Sequence, residues 1–184
     1  EISSTTVEGE DINLSQFKGK VSLVVNVASN APESRQQYGS LNSLYAEYQS
    51  KNVEVLAFPT NHTVTGAGPS EPGTNSDIKA YARNGCNSDF PIFQKSDPNG
   101  KYTSNVFKYL KRNSQFFDFK LAKAAPIQRN FYKFLIDEHG TVLKEYQPND
   151  SFDKIKSDIN KVIAGTFKPK TFEPDVDHFF VYHD

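Results

Sequence analysis

Methionine is absent from all 184 residues, and cysteine occurs once, at Cys86. A single thiol excludes an internal disulfide and leaves pairing between chains as the disulfide available to it. Long apolar runs are missing too. The longest, Val21–Val27 and residues 53–58, are strand-sized, far short of the roughly 20 residues a membrane-spanning helix needs. An excess of either charge is missing: the net charge is -1, which gives no field to attract nucleic acid or an anionic membrane. The length suits one domain with a real core.

The chain starts at Glu1 and carries three Asn-x-Ser/Thr triplets, at Asn13, Asn61 and Asn149. With the missing methionine, these suggest a secreted chain with glycan acceptors at those three asparagines. A single cysteine fits a cytoplasmic protein equally well.

Alternating segments follow. A turn at Glu8-Gly9-Glu10-Asp11 makes residues 1–20 a short hairpin, with a second turn at Lys18-Gly19-Lys20. Val21–Val27 is β-branched and mostly apolar, as a strand buried on both faces should be. A helix follows, with Asn30 as its cap, Pro32 in its first turn, and Tyr38, Leu41, Leu44, Tyr45 and Tyr48 on one face. Residues 53–58 make the next buried strand, and a loop runs from 59 to 73. A short helix is expected over 75–83, an extended Phe90-Pro91-Ile92-Phe93, a turn at Asp97-Pro98-Asn99-Gly100 and a helix over 104–112. A loop to about Gln128 leads into a hairpin of strands 131–136 and 141–146 around Asp137-Glu138-His139-Gly140. The last helix starts at an Asp150 or Ser151 cap and stops at Gly165. The order implies an α/β fold, a central mixed sheet with helices on both faces. Residues 1–165 form this domain, and residues 166–184 a C-terminal aromatic and acidic tail.

Specific segments carry a resemblance. They include Val25-Asn26-Val27-Ala28-Ser29, Leu56-Ala57-Phe58-Pro59, Glu71-Pro72-Gly73, Phe90-Pro91-Ile92-Phe93 and Asn130-Phe131-Tyr132-Lys133-Phe134-Leu135-Ile136-Asp137. In this order the chain resembles the glutathione peroxidase family, and within it the short-loop phospholipid-hydroperoxide type. The resemblance implies a thioredoxin-like fold. It also implies a peroxidatic cysteine or selenocysteine after the Val-Asn-Val-Ala-Ser strand, where a helix N-terminus would favour the thiolate. A Gln, a Trp and an Asn would gather around it. At those positions stand Ala31, His62, Arg129 and Asn130. Only Asn130 keeps the family's residue. The resemblance therefore predicts a non-catalytic homologue, a binding, structural or storage protein with no cofactor. A thiol peroxidase working through Cys86 or another group is the alternative.

Other groups invite weighing. Ser34, His62 and Glu33 form a conceivable hydrolytic set, and Glu33, Ser34, Thr60, His62 and Arg129 a polar pocket for a small anion. No Lys or His lies near Cys86 in sequence to activate it, so it reads as a partly buried, inert thiol. In the tail, His178, His183, Asp175 and Asp177 are competent ligands for Zn²⁺ or Cu²⁺. The short 113–128 loop, by the same resemblance, points to a monomer, with a tail-mediated dimer as the variant. The partner is an unidentified protein or small molecule.

Overall fold

The structure, a computed structural model, describes residues 2–61 and 70–169. Strands β1 (Ser3–Thr5) and β2 (Asp11–Asn13) pair antiparallel, and Gly9 at φ 90° supplies the left-handed turn between them. Next come β3 (Val21–Val27), α1 (Ser34–Tyr48) and β4 (Val53–Pro59), a right-sized unit for parallel pairing of β3 with β4. Helix α2 (Asn75–Ala80) follows, closed at its start by a capping box between Thr74 and Asp77, and continues into a π-helical turn, Tyr81–Gly85. Then come α3 (Asn105–Arg112), a small hairpin of β5 (Phe117–Asp118) and β6 (Lys123–Ala124), β7 (Lys133–Ile136), β8 (Val142–Tyr146) and α4 (Phe152–Ile163).

The main sheet has the order β4-β3-β7-β8, with β3–β7 and β7–β8 antiparallel. It is the mixed sheet expected. Every residue of β3 and β4 is buried, because β3 is central and both its faces are covered. Leu23, Val25 and Val27 pack with Tyr38, Leu41 and Leu44 of α1 and with Ile155 and Ile159 of α4. Val24 belongs to a second cluster with Leu56, Phe58 and α3 residues Phe107 and Leu110. Helices therefore cover both faces.

Two features differ from the sequence reading. Asn30 does not cap α1. The helix begins at Ser34 with Glu33 at its cap position, and the Asn30 amide instead donates to the Ser70 carbonyl at 3.0 Å. The reason is local: Ala31, Pro32 and Glu33 form a turn in which the Ser34 amide donates to the Ala31 carbonyl at 3.0 Å. Proline fits the second position of such a turn. The hairpin of β5 and β6 sits where a plain loop was expected. Ser151, one of the two expected caps, starts α4, its hydroxyl accepting from the Lys154 amide.

Candidate active site

Ala31 lies in the turn between β3 and α1 and is 8% exposed. Its surroundings are built from backbone held by side chains. The carboxylate of Glu71, 1% exposed, accepts from the Ser29 amide at 2.7 Å and the Ser29 hydroxyl at 2.5 Å. Burial pushes the Glu71 carboxyl up, and the two Ser29 bonds and the Lys95 charge oppose that. The Lys95 ammonium donates to the Glu71 and Gly73 carbonyls at 2.9 and 2.7 Å. Asn61 accepts from the Glu71 amide at 2.8 Å, and the Ser70 hydroxyl donates to the Thr60 carbonyl. Residues 27–30 are thereby stitched to 60–61 and 70–71.

The opposite wall is set by Asn26 at the end of β3. Its side-chain amide donates to the Arg129 carbonyl at 3.1 Å, and its backbone carbonyl accepts from the Phe131 amide at 2.7 Å. Phe131 sits at φ 64°, a conformation that a bulky residue holds only under tertiary constraint. The Asn130 side-chain oxygen is buried with no hydrogen-bond partner among the described residues. Arg129 is exposed, and its guanidinium donates to Asn149 at 3.2 Å. With Glu33, Gln37 and Asp150 it lines a cavity of about 520 Å³.

Of the expected hydrolytic set, Ser34 and Glu33 fall among the described residues. The Ser34 hydroxyl, buried, accepts from the Tyr81 hydroxyl at 2.9 Å, while Glu33 turns to the cavity it shares with Arg129. The fully buried Thr60 accepts from Asn26, so it is committed as well. His62 lies outside the described residues. So do His178, His183, Asp175 and Asp177. Among the described residues no cluster of three or more His, Cys, Asp or Glu could hold a metal ion. Of the sequon asparagines, Asn13 caps a helical turn by accepting from the Ser15 amide, Asn61 is half-buried and holds Glu71, and Asn149 is exposed.

Cys86 is half-buried just after the π-helical turn. Burial pushes its thiol up, while the neighbouring Tyr81 hydroxyl and the charge of Arg35 pull it down. Sequence neighbours gave no sign of this cation. It comes from α1, where Arg35 donates to the Gly85 carbonyl at 3.1 Å and lies over the Tyr81 ring. Through Tyr81 and Ser34 the thiol connects to the turn that holds Ala31. Lys133 also escaped the sequence reading. It is fully buried in β7, where its ammonium donates to the Phe131 and Pro148 carbonyls and lies over the Phe152 ring. Burial depresses its pKa to about 8, against the charges of Asp150 and Glu33.

A family model described as glutathione peroxidase matches residues 1–111. The chain is 42% identical over 158 residues to the phospholipid hydroperoxide glutathione peroxidase 1, chloroplastic, of Arabidopsis thaliana, covering 86% of this chain and 63% of that protein. It is 42% identical over 154 residues to the chloroplastic phospholipid hydroperoxide glutathione peroxidase of Pisum sativum, covering 84% and 61%. The chain thus spans just under two thirds of the length of these relatives. A Helianthus annuus protein, glutathione peroxidase 1, is 39% identical over 157 residues, covering 85% and 89%. Among solved structures, T. cruzi GPX1 is 27% identical with a TM-score of 0.66, covering 89% of this chain and 94% of that one. A thioredoxin-family thiol:disulfide interchange protein from Chlorobium tepidum, 16% identical at a TM-score of 0.59 over 90% and 92% of the two chains, shares the fold. The fold is thioredoxin-like.

Proposed function

The chain belongs to the glutathione peroxidase family, and from that premise we propose that it is a member without hydroperoxide turnover at residue 31, serving as a binding protein on a retained scaffold. One observation carries this: residue 31, where the resemblance of Val25-Asn26-Val27-Ala28-Ser29 to the family's motif would put the peroxidatic residue, is alanine. Peroxide reduction of this type needs a thiolate or selenolate to attack the O–O bond, leaving an alcohol and a sulfenic or selenenic acid. A methyl group offers no electron pair. The backbone cradle around the turn, built by Ser29, Glu71 and Lys95, supports the view that the scaffold is maintained without the reacting atom.

The relatives' names weigh for a second reading, hydroperoxide reduction by this chain itself. That chemistry would fall to Cys86, with Arg35 and Tyr81 as the groups that favour its thiolate. The attack would make a Cys86 sulfenic acid and an alcohol, and a thiol such as glutathione would return the sulfenic acid to thiol, water leaving and the reductant ending as disulfide. Burial of the thiol works against it.

Coupled turnover with glutathione or thioredoxin, run on the natural chain and on Cys86→Ser, separates the two. The first reading expects no turnover above the protein-free rate in either. Turnover that disappears in Cys86→Ser would establish the second. Turnover that survives the substitution would refute the first reading and assign the second to a group other than Cys86.

A further inference from the structure

The face of the sheet turned away from residue 31 holds a cavity of about 270 Å³. Ala31 packs in the cluster of Leu23, Val25 and Val27, whereas this cavity is floored by Val24, Leu56 and Phe58, which point the other way. Val106 and Leu110 of α3 close one side. Leu14 and Phe17, in the helical turn after β2, close the other. The Tyr109 hydroxyl donates to the Gly140 carbonyl at 2.6 Å and fixes α3 against the turn between β7 and β8.

A lining of this kind offers water few partners, and atoms facing a void forfeit dispersion contacts. An engineered apolar cavity of about 150 Å³ already suffices to bind benzene, and this one is larger. Its rim is polar. Lys18 and His139 both stand there, exposed. Asp137 shares the rim, but one oxygen of its carboxylate already accepts from the His139 and Thr141 amides. His139 faces Glu138 at 3.4 Å. Lys18 has no ion-pair partner among the described residues.

We propose that this cavity binds a medium-chain carboxylate, its chain against Val24, Leu56 and Val106 and its head at Lys18. An apolar interior beside one uncommitted cation is the arrangement that orients such a ligand. The site lies on the opposite face from residue 31 and Cys86, so it stands whichever reading of the peroxide chemistry holds.

Calorimetric titration of the full chain with decanoate, decanol and decylammonium tests it. Decanoate is expected to fill one saturable site, and the other two to bind more weakly. Lys18→Glu should weaken decanoate by roughly threefold to tenfold and leave decanol unchanged. Val106→Phe, which fills the void, should abolish binding of all three. Because Lys18 is exposed, its variant remains informative if Val106→Phe does not fold. Absence of saturable binding would overturn the proposal. Equal affinity for decanol and decanoate would overturn the carboxylate assignment, and undiminished binding by a folded Val106→Phe would overturn the location.

Discussion

A methyl group at residue 31, a half-buried thiol at residue 86 and a buried ammonium at residue 133 stand out among the described residues. For Cys86 the opposing influences predict a thiol less reactive than a free one at neutral pH, because burial dominates. Alkylation by iodoacetamide should be slow near pH 7 and keep accelerating beyond the ordinary thiol pKa of about 8.5. Arg35→Gln removes the cation that lowers the pKa, so it should slow alkylation further. A faster reaction in Arg35→Gln would show that the guanidinium shields the thiol and does not activate it. Lys133 makes a prediction of the opposite pH sense from a salt-bridged lysine. Its pKa is about 8 in the folded chain and about 10.4 when unfolded. Between those values the unfolded chain binds more protons, so stability rises with pH through that window. Urea unfolding of the natural chain compared with Lys133→Met should show the natural chain gaining, by a few kcal/mol at most, as pH climbs through it. A constant difference would mean that Lys133 stays charged in the fold.

At the scale of elements, the buried stretches were the most legible. The β-branched run of β3 and the stripe of Tyr38, Leu41, Leu44 and Tyr48 on α1 read directly as strand and helix, since burial itself imposes those patterns. The start of α1 did not. Its turn is set by a proline and by Ser70 across the loop, and the second of these is a tertiary contact. The β5–β6 hairpin has two-residue strands and a residue at φ 48°, Ala122, so neither period nor turn chemistry announced it. Lys133 faces the same side as Val25 and Leu135, yet its charge made it look like a solvent position. The stitching by Glu71 was equally hidden, for its partners lie 42 residues away. Glu71→Ala should cost about 1–3 kcal/mol in urea unfolding, because it leaves the Ser29 donors unpaired, and it should speed amide exchange at residues 29–31. The natural Glu71 holds its proton to higher pH folded than unfolded. Its contribution is therefore largest in acid and declines as pH rises through the folded pKa. Unchanged stability in Glu71→Ala would mean that the loop is held by Lys95 and Asn61 alone.

Taken whole, the molecule keeps a thioredoxin-like sheet with a helix pair on one face and α3 on the other, and it belongs to a family whose named members are glutathione peroxidases. The family was legible in ordered motifs. What the sequence could not supply was three-dimensional proximity: Arg35 beside Cys86, the commitment of Ser34 to Tyr81, and an apolar void beneath α3. The central claim is that residue 31 supplies no nucleophile and that nothing elsewhere in the chain replaces it at enzymatic rates. The most direct test is to incubate the purified chain with excess tert-butyl hydroperoxide and glutathione and count the alcohol formed per protein molecule over the uncatalysed yield. The account predicts no more than one equivalent, the capacity of a single thiol without turnover. Many equivalents, formed steadily, would contradict it.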